Sequence, residues 1–338
     1  MIYTGGTIGM VENPITKSLE AFDFDYIEQQ VPEIKLLTFD ITTYTSIPPR
    51  DSSDVGPDLW IEIAKVIEDK YYQYDGFVVL HGTDTMAYTA AALSFMLEGL
   101  HKPVLLTGSQ LPVGKLRTDG RENLLSALEI AASQDENGTP YVQEVCVFFN
   151  NQLLRGNRCS KTSADQFLAF QSLNYPNLAT VGIEIHYNKQ AMLPPYPAEQ
   201  QLVVRTKLDP NILVMKLFPG LPIKVLESAF KTPGLRGIIL ETFGSGNAPS
   251  SDDFIQIVKR AVDHGIVVVN ITQCIRGMVQ MSRYETGRTL LNAGVVSGYD
   301  MTVEAAVAKL MYLLGNYSDP HQIKQAMGQS IRGEVTIP

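Results

Sequence analysis

Cysteine is scarce in this 338-residue chain: there are three, Cys146, Cys159 and Cys274. None stands in a C-x-x-C pair or beside a ladder of histidines, so a zinc site of familiar spacing is excluded. An odd, scattered set supplies no disulfide framework and suits a reducing compartment, so a cytoplasmic location is expected. Basic charge is also short. Lys and Arg number 27 against 36 Asp and Glu, a net charge of −9, and the cations form no cluster. That excludes a nucleic-acid or anionic-membrane surface. No basic segment followed by an apolar one marks a secretion signal near the start. No apolar run reaches the roughly 20 residues that a bilayer span needs. The longest candidate, "AAALSFMLEGL" (90–100), is too short and reads as a buried helix. There is no G-x-G-x-x-G fingerprint, no phosphate-binding P-loop, no internal repeat and no low-complexity tract.

What the chain does have is alternation. Strand candidates lie at 75–82, 102–109, 144–151, 235–242 and 265–272, and the cores of several are apolar rather than alternating, as in strands covered on both faces of a parallel sheet. Between them lie helical patterns. The segment 57–72 opens on Pro57 and Asp58; 85–97 is alanine-rich; 118–133 carries Asp119 and Glu122, a capping-box-like start. The segment 250–265 begins with serine and acid and ends at Gly265, and 302–315 shows the same grammar. Strand–helix alternation predicts an α/β fold with mostly parallel sheets. At 338 residues two domains are expected. Prolines and polar residues gather in "NKQAMLPPYPAEQQ" (188–201), and a new strand–helix series begins near Ile212. The predicted division is 1–188, a linker over 189–211, and 212–338.

Ligands of open parallel sheets bind beyond the carboxyl ends of the strands. The segments that follow the predicted strands are "TGGTIG", "HGTDT", "TGSQ", "NNQLLRGNRCSKTSAD" and "ETFGSGN". Each has a plain reading. The Gly-Gly turn is structural, Thr83 or Asp84 caps the next helix, and His81 is a packed histidine. Lys161 is a solvated lysine, "DSSD" (51–54) is a polar loop, and Cys274 is a buried small residue. Together they read differently. A threonine hydroxyl is a poor nucleophile unless a base or a lysine-tuned partner activates it. Thr, Asp and Lys on neighbouring strand ends supply that partner. Glycines let backbone N–H groups approach a developing oxyanion, and serines with an aspartate can hold a small zwitterion. The chemistry these residues favour is acyl transfer on an amino-acid amide, with no metal and no cofactor.

"YTGGTIG" and "HGTDTMAYTA" resemble the two signature segments of the bacterial-type L-asparaginases. "TGSQLP", "DGREN", "NNQLLRGNRCSKTSADQF" and "NITQC" follow in the same order. The resemblance runs from Tyr3 to the C-terminus and leans to the cytoplasmic type I branch. It implies two Rossmann-like domains, the larger N-terminal one carrying the site. It implies hydrolysis of L-asparagine to L-aspartate and ammonia through an ester on Thr7. Thr83, Asp84 and Lys161 would form the second catalytic group, with Lys161 easing activation of Thr83 and Asp84 also taking the substrate ammonium. Ser52 and Ser53 would bind the α-carboxylate, with Asp51 beside them. Asn247 would reach the site of a neighbouring subunit in a homotetramer built as a dimer of dimers. Some type I members also bind effector asparagine, here at Glu241, Asn247, Thr272 and Cys274.

Three features depart from the family pattern. The loop after the first motif has no tyrosine near Lys17, where the family's activating tyrosine aligns; Tyr26 is the first available. Glu241 stands where effector-binding members have arginine. Only Met1 to Tyr3 precede the first turn, against about five residues for an ordinary strand. The first strand is therefore short, or the protein starts upstream of Met1. Two other functions stay open: a glutaminase-asparaginase of broader specificity, and an inactive asparagine-binding sensor. The amide-donor half of a tRNA-dependent amidotransferase is a further relative, though members of that group carry an extra N-terminal domain.

Overall fold

A computed structural model describes residues 1–12, 19–21, 27 and 29–338. The chain forms two compact units, Met1–Thr206 and Lys207–Pro338. The boundary falls within the proline-bearing 189–211 stretch, where Val203–Val204 still pair with Leu97–Glu98 of the first unit.

In the first unit, β1 (Ile2–Tyr3), β2 (Phe77–Leu80), β3 (Val104–Thr107) and β4 (Val145–Phe149) run parallel in that spatial order. Every residue of β2, β3 and β4 is buried, which is why these runs are apolar rather than alternating. β5 (Gln152–Arg155), β6 (Ala179–Val181) and β7 (Ile185–Tyr187) extend the sheet antiparallel. The sheet is therefore mixed, and its antiparallel half is a departure from the parallel arrangement expected. The reversal comes at Asn150 and Asn151, whose φ values of 46° and 63° form the tight hairpin between β4 and β5.

Helices α1 (Pro57–Lys70), α2 (Met86–Met96) and α3 (Gly120–Ala132) flank this sheet. In α1, Leu59, Trp60, Ile63, Ala64 and Ile67 make one buried stripe after a proline at the first turn. α2 is buried nearly all round, as its composition demands. It stops at Met96, short of the expected end. Leu97–Glu98 leave as a strand, and Gly99 turns the chain with a φ of 76°.

The second unit holds a parallel sheet, β8 (Ile212–Lys216), β9 (Gly237–Thr242), β10 (Val267–Thr272) and β11 (Val296–Ser297). Its helices are α4 (Ile223–Phe230), α5 (Asp252–Asp263), α6 (Glu285–Asn292), α7 (Val303–Asn316) and α8 (Pro320–Met327). Thr302 caps α7 by accepting from the Ala305 N–H at 3.1 Å. Lys309 on α7 is fully buried and pairs with Glu334, also fully buried. This ion pair fixes the C-terminal segment to α7, while desolvation lowers the lysine's affinity for its proton. Among the described residues no helix is long and apolar enough to cross a membrane.

His81 follows β2 and is 1% exposed. Its Nδ1 lies 2.8 Å from the Gly82 carbonyl and its Nε2 3.0 Å from Thr89 Oγ1, which accepts from Trp60 Nε1 at 3.0 Å. A carbonyl only accepts, so Nδ1 carries the hydrogen, and Nε2 accepts from Thr89. Every polar atom is thereby used, and burial lowers the pKa from 6.5 to about 4. The unfolded chain binds a proton between those values that the fold refuses, so His81 makes stability fall as pH drops from 6.5 toward 4. The loss across the window is roughly 3 kcal/mol. Urea unfolding at pH 7 and pH 4.5 should show His81→Gln losing less stability on acidification than the parent; equal losses would contradict this assignment.

Candidate active site

The first turn is held by its neighbours. Thr4 donates from both its N–H and its hydroxyl to the Leu80 carbonyl, at 3.0 and 2.8 Å. The Arg50 N–H donates to the Thr4 carbonyl at 2.9 Å, and Gly5 bridges Arg50. The Arg50 guanidinium in turn bonds Asp58 and Glu62 on α1, tying this loop to the helix. Gly5 and Gly6 have φ values of 113° and 93°, where side chains are strained. A Cβ on Gly6 would lie 2.5 Å from the Gly82 nitrogen. Thr7 then opens a 3-10 turn, Thr7–Gly9, partly buried. The glycines are therefore set by close approach: they bring the turn carrying Thr7 against the backbone that leads into Thr83.

Ser52 completes this contact. It is 5% exposed, and a Cβ on Gly82 would meet its hydroxyl at 2.5 Å. Its Oγ accepts from the Asp84 N–H at 3.3 Å, and its carbonyl accepts from the Thr85 hydroxyl at 2.7 Å. Asp51 caps the short turn Ser52–Asp54 and accepts from both the Ser53 N–H and the Ser53 hydroxyl at 2.8 Å. Those two bonds, backbone first, hold the Asp51 carboxyl below its usual range. Ser53 thus directs its hydroxyl proton at Asp51.

Lys161 arrives from the far side. It lies in the pair Ser160–Lys161 with Phe170–Gln171, where Phe170 is opposite Lys161. Phe170 is 1% exposed and packs at a tilt of 53° against Phe149, the last residue of β4, at 5.0 Å between rings. Further support comes from Arg155, whose buried guanidinium bonds Glu144 at 2.6 Å and the Ala191 carbonyl at 2.7 Å. So held, Nζ of Lys161 donates to Thr83 Oγ1 at 2.8 Å and to Asp84 Oδ1 at 2.7 Å. The Lys161 side chain is 17% exposed and that of Asp84 64%, so the ion pair spans the edge of the fold with its carboxylate open to solvent.

The helix-capping reading of Thr83 and Asp84 does not hold. The residue at the start of α2 is Thr85, with no side-chain cap, because Thr83 and Asp84 are directed to Lys161 instead. Nor does Asp119 cap α3: its carboxylate turns back to the N–H groups of Gln110 and Leu111 at 3.0–3.1 Å. Burial raises its pKa against the pull of those donors. Gln110 is a residue the sequence reading missed. Its Oε1 faces the Thr83 hydroxyl at 3.2 Å. The signal was its place three residues past the end of the "KPVLLT" strand, at the same level as Thr83 on the strand before.

The candidate effector residues group at the strand ends of the second unit. Glu241 lies near the end of β9 and Thr272 ends β10. The Thr272 hydroxyl donates to the Gly244 carbonyl at 2.5 Å and accepts from the Cys274 N–H at 3.0 Å. Asn247 closes the Phe243–Asn247 turn and accepts from the Thr286 hydroxyl at 2.8 Å. Cys274 is exposed, contrary to the buried position expected, because it lies two residues beyond the end of β10 in a loop. Lys17 and Tyr26 lie outside the described residues. Among the described residues no group of His, Cys, Asp and Glu could hold a metal ion.

Residues 1–193 match the family model described as "Asparaginase, N-terminal", and residues 211–327 match "Glutaminase/Asparaginase C-terminal domain". L-asparaginase 1 of Escherichia coli (strain K12) is 46% identical over 340 residues, covering 99% of this chain and 96% of that protein. The crystal structure of L-asparaginase I from Vibrio cholerae superposes with a TM-score of 0.88 at 42% identity, covering 99% of this chain and 98% of that one. The thermostable L-asparaginase from Thermococcus kodakarensis gives a TM-score of 0.89 at 34% identity, covering 100% and 98%. With both units matched, and with Thr7, Thr83, Asp84 and Lys161 standing on adjoining segments of the first, the chain belongs to the asparaginase family.

Proposed function

We propose that this protein hydrolyses L-asparagine to L-aspartate and ammonia by double displacement on Thr7. The observation that carries the reading is the Lys161 ammonium shared between Thr83 and Asp84, within 2.8 Å of both. The side-chain amide of asparagine sits beside Thr7. Its Oγ adds to the amide carbon, an ester forms, and the C–N bond breaks as the leaving nitrogen takes up a proton to depart as ammonia. Water then adds to the ester, the C–O bond breaks, and the Thr7 hydroxyl is restored with aspartate as product.

Thr83, Asp84 and Lys161 are the second catalytic group. Lys161 eases activation of Thr83 by donating to its oxygen, and the ion pair keeps the lysine aligned. The solvent-facing oxygen of Asp84 receives the substrate ammonium, while Asp51, Ser52 and Ser53 form the shelf for the α-carboxylate. Ser52 is rigid there because both its hydroxyl and its carbonyl are tied to the 84–85 turn. The catalytic residues belong to the 1–188 domain, followed by the 189–211 linker and the 212–338 domain. The enzyme acts in the cytoplasm as a homotetramer, a dimer of dimers, in which Asn247 of a neighbouring subunit reaches the substrate. Glu241, Asn247, Thr272 and Cys274 form the effector site for asparagine.

Purified protein should release ammonia from asparagine. Thr7→Ala should lower that rate by about 10³-fold or more, because the covalent route is lost. Ordinary turnover by Thr7→Ala would overturn the reading. Initial rate plotted against asparagine concentration should be sigmoidal if the effector cluster binds asparagine, whereas a hyperbola removes the effector site from the account.

A further inference from the structure

We propose that Gln110 is a positioning residue that fixes which way the Thr83 hydroxyl points its proton; this rests on the reading of Thr83 as part of the second catalytic group. Thr83 and Gln110 each lie three residues beyond the paired Leu80 and Thr107, so adjacent parallel strands deliver them at one level. The Thr83 oxygen lies 3.2 Å from Gln110 Oε1 and 2.8 Å from Lys161 Nζ.

The orientation of the amide is settled by its other end. Gln110 Nε2 lies 3.2 Å from the Gln166 carbonyl, which can only accept, so the nitrogen faces Gln166 and the oxygen faces Thr83. An amide oxygen also only accepts. Thr83 must therefore donate its one proton to Gln110, while a lone pair takes the hydrogen from Lys161. The remaining lone pair is what Thr83 presents to a reacting group. Without Gln110 the hydroxyl rotates, and in part of its orientations offers that group a proton instead.

The surroundings hold Gln110 still. Its N–H donates to both Asp119 oxygens at 3.0 Å, and the Leu111 N–H joins at 3.1 Å. The Leu111 carbonyl accepts from the hydroxyls of Ser109 and Thr118, at 2.6 and 3.1 Å. Asn123 on α3 donates to Asp119 at 3.2 Å and to the Gly108 carbonyl at 3.0 Å, and accepts from the Asn150 N–H at 3.0 Å. Gln166, at the other end of the amide, lies in the loop joining the strand of Lys161 to that of Phe170. Gln110 therefore joins the α3 entry, Thr83 and the Lys161 hairpin in one hydrogen-bonded set.

The test measures ammonia release and thermal unfolding of the full chain for Gln110→Met, Gln110→Glu and Thr83→Val. Gln110→Met keeps the length and removes the acceptor: kcat should fall about tenfold with KM within about twofold and Tm within about 2 °C of the parent. Gln110→Glu restores an accepting oxygen and should hold kcat above that of Gln110→Met. A Gln110→Met kcat within about twofold of the parent overturns the proposal, as does a loss matched by a rise in KM or a fall in Tm. So does a Gln110→Glu rate no better than that of Gln110→Met. Thr83→Val separates the two levels: it should lose about 10³-fold in kcat, and parental turnover would discard the Thr83 reading itself, whatever Gln110 does.

Discussion

One ammonium group ties the first unit's chemistry together. Nζ of Lys161 reaches Thr83 and Asp84 at 2.8 and 2.7 Å, and those residues lie 78 and 77 positions away in the chain. A lysine on a flexible stem loses rotamer freedom to be held so, at a cost of up to about 2 kcal/mol. The fold compensates by anchoring its strand. Phe170, opposite Lys161, is locked against Phe149, and two asparagines with positive φ reverse the chain just after β4. Upstream of the lysine, Arg155 is buried with Glu144 at 3% and 4% exposure. Breaking such a buried pair leaves an uncompensated charge, so the segment leading to the lysine has little freedom to drift.

The complement of that arrangement is backbone contact on the other side of Thr83. Gly6, Gly82 and Ser52 come from three separate segments and meet closer than a Cβ at either glycine would permit. The turn before Thr7, the turn before Thr83 and the Ser52 side chain therefore share one close contact. Displacing any one of them moves the other two. His81 contributes from beneath: buried and neutral, it fixes the carbonyl of Gly82 through Nδ1 and is itself fixed through Thr89 and Trp60. This linkage explains why a Gly-Gly turn, unremarkable by itself, belongs to the site.

The parts of this structure legible in the sequence were those with strong local signals. The five strand candidates became β2, β3, β4, β9 and β10, and the five helical patterns became α1, α2, α3, α5 and α7. The strands β5, β6 and β7 are only three or four residues long, too short for any periodicity to announce them. Side-chain direction was the other blind spot. Asp119, Thr83 and Asp84 stand at or just before a helix start, and each turns away from the helix: Asp119 to Gln110 and Leu111 in the preceding loop, Thr83 and Asp84 to Lys161 far along the chain. Gln110 stood in the "TGSQ" segment after a predicted strand, but its meeting with Thr83 follows from the register of β2 against β3, which the sequence does not state. Cys274 was misplaced because an apolar strand before it suggested continued burial, whereas the strand ends two residues earlier.

The arrangement makes Lys161 the link between a threonine oxygen and an acidic anchor, rather than a lysine that merely lines the site. Lys161→Met keeps most of the side chain's volume and removes the donor, so it isolates that link. Its kcat for ammonia release from asparagine should fall by about 10³-fold, with the parent's Tm retained within a few degrees. A Lys161→Met enzyme that folds normally and turns over asparagine within about tenfold of the parent would contradict the account.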